Sequence, residues 1–425
     1  MGTHRKVGHQ RSMIHVGKTH LGEVDYLRVI GLISIVVIHA FGFYLSMPVS
    51  GQGARIFQEL TVDLLRFGRY VFIFVTGVVL FYGYSGRKIN LASFFNRRLK
   101  NIVIPYAVWT AIYLLIKYWA KMINWPNTAG FIATWAQNLL NGNGYSHLYY
   151  IIVSIQFYLF FPLLLVLFKP RRPRLAAGII LTGGLLLYGI YYFLLEAHAS
   201  SVTAMVGGAP GAGILAWFMQ YKDRILISYL PFYLLGGLVG MHLDAWRKWL
   251  QEHDILITAG MILSGGLVIG EYFYLYRHMG ESWAMTVSVF NPSMYFYSLV
   301  IIVVLFRLAM VWERRKTMRS LVSLLAANSL GIYLVHPAVL YVVHSYLWPY
   351  QYLPGSLLVI LDLAVTIAAS CLISHLLGRS RYTRFMIGEA GNLSRRQPAV
   401  NGAPTAPKLN LRPQEHFPQV QTTTR

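Results

Sequence analysis

Long continuous apolar runs, rather than alternating ones, dominate the chain from residue 26 to residue 377. A membrane-spanning helix needs roughly 20 mostly apolar residues. Ten stretches approach that length: Tyr26–Leu45, Gly68–Tyr84, Ile102–Lys121, His147–Phe168, Leu175–Leu195, Ile227–Leu243, Ile255–Tyr276, Pro292–Val311, Leu321–Tyr341 and Ser356–Leu377. Because the runs do not alternate with a period of two, they are not typical of a β-barrel. The pattern predicts an all-α polytopic transmembrane helical bundle of about ten spans.

The composition agrees with that pattern. Hydrophobic residues make up 56% of the chain, charged residues 12%, and the mean hydropathy is +0.50. An ordinary soluble domain is about 25% charged, so the numbers exclude a disordered protein and a standard soluble enzyme. The formal net charge of +22 is compatible with either nucleic-acid binding or membrane topology. The distribution of the charge decides between them.

The basic residues alternate between the connections. The tails and every second connection hold 27 of the 37 lysines and arginines, whereas the intervening connections hold 7. By the positive-inside rule, this asymmetry puts both termini in the cytoplasm and requires an even number of spans. The charge therefore orients helices and contacts anionic lipid, and we expect no nucleic-acid partner.

The domain organisation follows from the same pattern. We expect a cytoplasmic N-terminal tail over residues 1–21, one membrane domain over 22–378, and a polar cytoplasmic tail over 379–425 that is disordered. The N-terminus is not typical of a signal peptide, because the first apolar run is long enough to span. No connection contains a Walker motif, GxSxG or HExxH, and the lone Cys371 offers no cysteine-based metal site.

Ionisable side chains inside membrane spans are expensive and are functional candidates by default. In the first span, Arg28 and His39 are eleven residues apart, which places them on one helix face about 16 Å apart. Asp25 lies one turn before Arg28 and is placed to pair with it. The spacing favours one site along this face. A snorkelling arginine and a histidine that only hydrogen-bonds a neighbouring helix would give the same pattern.

The segment Phe94–Pro105 is a strongly basic cytoplasmic loop in this interpretation. Arg97, Arg98 and Lys100 offer the cations that bind the phosphates of a soluble cofactor. From the residues alone, a topology signal that contacts lipid headgroups is the stronger explanation.

Two further histidines lie at predicted helix ends. His147 is followed by Tyr149 and Tyr150, a pattern typical of an aromatic belt or of a carbohydrate-binding mouth. His336 precedes Pro337, which weakens the helix and frees a carbonyl. His336 and His344 also suit a structural hydrogen-bonding role, which we favour for His344.

Taken together, these segments resemble the acyltransferase-3 family of bacterial integral membrane acyltransferases. Arg28 and His39 match its first-helix pattern of a basic residue, ten residues and a histidine. Four later segments resemble further family motifs in the same order: Phe72–Gly77, Arg97–Tyr106, His147–Tyr150 and Ser329–Pro337. Within them, Thr76 replaces a common serine, Lys100 replaces an arginine, and Tyr149 and Tyr150 replace Trp and Phe. The resemblance covers residues 22 to 378, and the branch it resembles most acylates an extracellular aminosugar polymer.

The resemblance implies a membrane-bound O-acyltransferase in the bacterial plasma membrane. It would move an acetyl or succinyl group from cytoplasmic acyl-coenzyme A, which is a donor substrate and not a resident cofactor, to a polysaccharide hydroxyl. It implies that His39 and Arg28 are catalytic, with His39 the general base or the carrier of a transient acyl group. Arg97, Arg98 and Lys100 would bind the coenzyme, whereas His147, Tyr150 and His336 would bind the carbohydrate acceptor. No metal is implied.

Two other functions fit part of the pattern. A transporter or flippase for a polysaccharide or lipid-linked sugar also uses many spans, intramembrane charges and glycine-interrupted helices, although no inverted repeat is visible. A structural partner in a synthase complex would tolerate replacement of Arg28 and His39. The acyl group, the acceptor and the oligomeric state stay open.

Overall fold

The computed structural model of the chain describes residues 20–45, 51–125, 127–193, 217–218, 220–279, 289–347 and 355–388. Within these ranges every regular element is helical. The α-helices are α1 (Gly22–Leu45), α2 (Gln52–Leu65), α3 (Gly68–Tyr84), α4 (Leu91–Trp119), α5 (Thr128–Asn141), α6 (Tyr149–Leu167), α7 (Pro173–Tyr191), α8 (Leu230–Met241), α9 (Leu243–Glu252), α10 (Asp254–Met279), α11 (Pro292–Arg315), α12 (Arg319–Ala327), α13 (Ser329–Leu347) and α14 (Gly355–Arg379). Short 3-10 helices cover Lys222–Arg224, Leu226–Tyr229 and Arg384–Met386.

Eight helices in the described ranges are long and apolar enough to cross a membrane, and the number reaches ten when two bent pairs each count as one span. One pair joins Leu226–Met241 to α9 at an angle of 99°, and the other joins α12 to α13 at 77°. These pairs coincide with the sixth and ninth predicted spans. The predicted all-α multi-pass membrane bundle is therefore confirmed, whereas the side of the membrane on which each terminus lies stays a prediction.

The basic segment before Pro105 is helical, so the loop predicted there is wrong. Helix α4 begins at Leu91, and the side chain of Asn90 caps it by accepting a hydrogen bond of 3.0 Å from the Ser93 amide. Arginine, lysine and leucine are good helix formers, so the charge does not interrupt the helix. Helical geometry consequently separates the neighbouring cations onto different faces.

Helix α2 occupies part of a predicted connection, and together with α3 it passes as one span of 33 residues, Gln52–Tyr84. Asp63 and Arg66 therefore lie within a span rather than ahead of one. A neighbouring helix supplies a partner for some of the polar residues of α2. Glu59, for example, accepts a hydrogen bond of 2.5 Å from the Tyr272 hydroxyl of α10.

Helix α1 lies at the centre of the bundle and packs against α2, α3, α11, α12, α13 and α14. Its first turn is also fixed by polar contacts. Arg247 of α9 forms an ion pair of 2.8 Å with Glu23, and the Tyr26 hydroxyl donates a hydrogen bond of 2.7 Å to the Thr317 carbonyl. We call this end of the bundle, marked by Glu23, Arg28, Arg98 and Arg247, the basic end.

Helices α3 and α8 cross so closely that their backbones touch. A Cβ atom at Gly77 would overlap the Tyr233 carbonyl, and one at Gly236 would overlap the Phe74 carbonyl. Small residues permit this approach, and van der Waals packing then supplies much of the association between helices in lipid. Gly77 and Gly236 therefore serve the packing of α3 against α8.

A short segment after α14 covers the basic end of α4. The Trp109 indole donates a hydrogen bond of 2.8 Å to the Met386 carbonyl, and Ile387 is buried near Gly331 and Gly378. The described part of the predicted polar tail, residues 379–388, therefore packs on the bundle. The rest of that tail lies outside the described residues, as does nearly all of the N-terminal tail.

Candidate functional site

Three histidines from distant parts of the sequence meet inside the bundle. His39 comes from α1, His147 from the turn before α6, and His336 from α13. The ring centroids of His39 and His147 are 6.1 Å apart, and His336 is 5.3 Å from each of them. His147 and His336 are buried, whereas His39 is half-buried. The structure thus brings the predicted catalytic histidine next to two of the predicted acceptor-binding residues.

Tyrosines enclose this histidine cluster. The Tyr333 hydroxyl donates a hydrogen bond to the His147 carbonyl, and the Tyr113 ring lies 5.4 Å from the His147 ring. Tyr150, the third predicted acceptor residue, lies 6.1 Å from Tyr333 by ring centroids and 6.3 Å from Phe72. Tyr150 therefore borders the cluster through Tyr333.

The nitrogen atoms of the cluster have unequal partners. His336 Nδ1 lies 2.8 Å from the Tyr333 carbonyl oxygen, whereas Nε2 has no hydrogen-bond partner among the described residues. Neither ring nitrogen of His147 has a partner in the same part of the chain. The three rings do not have the arrangement of a metal ligand set. The same holds for every other group of three or more histidine, cysteine, aspartate or glutamate side chains within the described ranges.

A small cavity of about 20 Å³ lies beside the cluster, on the side away from the basic end. It is lined by Tyr113, Ile116, Lys117, Ala120, Met122, Tyr145, Pro337, Ala338 and Tyr341. The rings of Tyr113 and Tyr145 stack at 4.5 Å and separate the cavity from His147, which both rings contact. A space of this size holds about one water molecule.

The basic end brings Arg28 together with one of the three predicted coenzyme-binding residues. Arg28 pairs with Asp25 at 3.6 Å, as predicted, and interacts electrostatically with Arg98. Arg98 is half-buried over the Tyr158 ring, 5.7 Å from its centroid, and its Nε has no partner among the described residues. Arg97 instead donates a hydrogen bond of 2.8 Å to the Tyr84 hydroxyl and is exposed, as is Lys100.

One further titratable group lies at the basic end, just before α1. The His20 Nε2 atom lies 2.7 Å from the Asp25 carboxylate, which raises the pKa of His20 above its ordinary value of 6.5. The carboxylate of Asp25 thus serves two cations, His20 when protonated and Arg28.

Arg69 is a site residue that the sequence analysis did not select. Its guanidinium carbon lies 6.0 Å from the Tyr149 ring centroid, it contacts the Tyr229 hydroxyl, and it is close enough to His39 to act on it electrostatically. The signal was present, because a charge inside a span is a functional candidate. Sequence reasoning missed it because Arg69 lies in the first turn of the predicted span Gly68–Tyr84, where it resembles the cations of the connection before it.

A second buried polar pair lies further along α13. His344 Nδ1 lies 3.7 Å from the carboxylate of Asp362, which is fully buried in α14 and accepts a hydrogen bond of 3.2 Å from Thr366. The His344 ring also contacts Phe43 at 4.9 Å. Because His344 follows His336 by two helical turns, it lies outside the histidine cluster.

The comparisons with known proteins are consistent with this arrangement. A family model described as an acyltransferase domain matches residues 21–375. No curated protein sequence and no solved structure matches the chain. The family match covers every helix that contributes to the histidine cluster and to the basic end.

Proposed function

Because the chain belongs to the acyltransferase-3 family, we propose that this membrane acyltransferase transfers an acetyl or succinyl group from acyl-coenzyme A to a hydroxyl of a cell-surface or exported polysaccharide. His39 is the general base. The observation that supports this proposal most is the position of His39 beside two buried imidazoles, with Arg28 on the same helix nearer the basic end. In this proposal the protein lies in the bacterial plasma membrane with its basic end facing the cytoplasm.

The donor binds at the basic end. Arg28 and Arg98 present two cations whose attraction for phosphate is strong in a partly desolvated place, and Arg98 has an unused Nε–H donor. Arg97 and Lys100 are exposed and attract the same anion from a greater distance. The pantetheine arm then runs along α1 from Arg28 to His39, a rise of about 16 Å.

The acceptor reaches the histidine cluster from the opposite end. The cavity lined by Tyr113, Tyr145 and Lys117 lies on that side, where the stacked rings of Tyr113 and Tyr145 stand between it and His147. Tyr150 borders the cluster through Tyr333. Tyrosine rings pack against the apolar faces of sugars, and their hydroxyls form hydrogen bonds with sugar hydroxyls. An extracellular aminosugar polymer is the acceptor class that we assign here.

The chemistry needs one base and one stabilising cation. His39 removes the proton from the acceptor hydroxyl as the oxygen attacks the thioester carbon, and the same proton later protonates the departing thiolate. Negative charge develops on the thioester oxygen during the attack. The guanidinium of Arg69, which acts electrostatically on His39, is placed to stabilise that charge.

The test uses purified protein reconstituted in liposomes with radiolabelled acetyl-coenzyme A and poly-N-acetylglucosamine. Wild type should transfer label to the polymer and release free coenzyme A thiol. His39→Ala should lower the turnover number by at least about 100-fold, since a general base contributes 10²–10⁴-fold. His375→Ala, an exposed histidine of α14, is the matched control and should retain activity. Undiminished transfer by His39→Ala would exclude the base assignment, and polymer uptake without label transfer would favour a transporter.

A further inference from the structure

We propose that His336 is a positioning residue for His39: its Nε2 accepts a hydrogen bond from one ring N–H of His39 and leaves the other His39 nitrogen free to act as the base. This inference rests on the proposed function and assigns His336 a role other than acceptor binding.

Pro337 changes which atoms His336 contacts. Proline has no backbone N–H, so the carbonyl four residues earlier, that of Tyr333, has no helical donor. The Nδ1 atom of His336 takes that place at 2.8 Å, with the Ile332 carbonyl at 3.2 Å. A carbonyl oxygen only accepts hydrogen bonds, so Nδ1 carries the proton of the neutral ring.

The tautomer follows directly. With the proton on Nδ1, the Nε2 atom of neutral His336 presents a lone pair and no hydrogen. His336 is 0% exposed, so water does not solvate that lone pair freely, and Nε2 has no partner within the described part of the chain. A buried hydrogen-bond acceptor without a partner costs free energy. This cost favours a conformation in which a neighbouring side chain donates a hydrogen bond to Nε2.

His39 is the donor that the geometry provides. Two imidazoles joined by an N–H···N hydrogen bond of about 2.9 Å have ring centroids about 5.2 Å apart. The observed separation of His39 and His336 is 5.3 Å. The separation is thus the one that such a bond requires, and in this proposal rotation of the half-buried His39 ring forms it. His147 lies at the same ring separation from His336, but it is buried, whereas His39 is half-buried and its ring is freer to turn.

The hydrogen bond between His39 and His336 determines which nitrogen carries each proton during the reaction. His39 keeps one N–H on His336, so its other nitrogen accepts the proton of the acceptor hydroxyl. The acceptor oxygen forms a bond to the thioester carbon, the carbon–sulfur bond breaks, and the thiolate takes the proton that His39 accepted. His336 keeps its Nδ1 proton and takes none on Nε2, just as the carboxylate that orients the histidine of a catalytic triad does not become protonated.

The test compares two amides at position 336. In His336→Gln the amide oxygen reaches the place of Nε2, whereas in His336→Asn the amide lies at the place of Nδ1 and does not reach His39. The experiment measures kcat and KM for acetyl-coenzyme A in the reconstituted protein. We expect His336→Asn to lower kcat by at least tenfold and leave KM within twofold, and His336→Gln to recover most of the loss.

Pro337→Ala provides a second measurement without altering the histidine. The alanine N–H competes for the Tyr333 carbonyl, so we expect a smaller loss of kcat, again without a change in KM. His375→Gln is the control for an imidazole replaced elsewhere. Equal activities of His336→Gln and His336→Asn, in variants that elute as wild type does on size exclusion, would overturn the positioning role. Loss of activity in His39→Ala beside full activity in His336→Asn would refute this inference alone and leave the proposed function intact.

Discussion

The guanidinium of Arg69 lies over the ring of Tyr149, with its central carbon 6.0 Å from the ring centroid. The ring face offers partial negative charge and holds the cation within the span. Its charge acts on His39, the proposed base, in a region of low dielectric.

Arg69→Gln should lower kcat for acetyl transfer by roughly 100-fold, because the loss of one preorganised donor to an oxyanion costs about 10²–10³ in turnover. Arg69→Lys should retain part of the activity, since it keeps the charge and loses the planar fork. Steady-state kinetics in liposomes measure both. Arg55→Gln, which removes a cation elsewhere on the same span, is the control. Full activity in Arg69→Gln would exclude a role in charge stabilisation.

Arg98→Gln should raise KM for acetyl-coenzyme A about tenfold with little change in kcat, because a hydrogen bond to a charged group contributes about 1.5–3 kcal/mol. Arg97→Gln should change KM by less than threefold, since Arg97 is exposed and bonded to Tyr84. The comparison requires initial rates at varied donor concentration. Equal effects of the two variants would show that the overall positive charge of this segment, and not the orientation of the Arg98 side chain, binds the donor.

Gly236→Ala should destabilise the fold by about 1–3 kcal/mol, the usual cost of overpacking, because its Cβ would overlap the Phe74 carbonyl. Gly183→Ala in α7 should be neutral, because a Cβ there meets open space. Thermal unfolding of the two variants in the same detergent checks the difference. An unchanged midpoint in Gly236→Ala would mean that α3 and α8 separate at little cost.

His20 should make stability weakly dependent on pH. Its pKa is raised by Asp25, so its contribution is fully present below pH 6.5 and is lost as the pH rises through the higher folded-state pKa. The effect should be small, because 66% of the His20 side chain is exposed. His20→Gln should flatten the slope of the unfolding midpoint between pH 6 and pH 9. A slope that persists in this variant would assign the titration to another group.

The sequence predicted the parts of the site that follow from one helix at a time. Arg28 and His39 lie on one face of α1 because eleven residues make about three turns. Asp25 pairs with Arg28 because residues three apart are neighbours on a helix surface. Their positions at predicted helix ends, beside tyrosines and before Pro337, also identified His147 and His336 as candidates. Single-helix geometry does not say which helices are neighbours, so the meeting of the three histidines rested on family resemblance until the structure was known.

Other features depend on tertiary context. Arg97 and Arg98 are adjacent in sequence, and only the rotation of α4 against its neighbours decides that Arg98 turns toward Tyr158. Arg69 was missed because the polar residues of α2 hid the fact that the span begins at Gln52. Such residues are tolerated through contacts with other helices, as in the hydrogen bond between Glu59 and Tyr272. The bends in the sixth and ninth spans could not be predicted from hydropathy either, because each bent pair of helices is long and apolar enough to pass as one span.

The fixed start of α1 makes this helix a molecular ruler. Glu23 and Tyr26 tie its first turn to α9 and to the segment after α11, so the helix has little freedom to slide along its axis. The distance from Arg28 to His39, the proposed base, is then set by the rise of eleven helical residues, about 16 Å, and not by a conformational change. A thioester carrier with a shorter arm would leave its reactive carbon below His39 while its phosphates still rest on the arginines. Donor selection in such an enzyme is a matter of length as well as of charge.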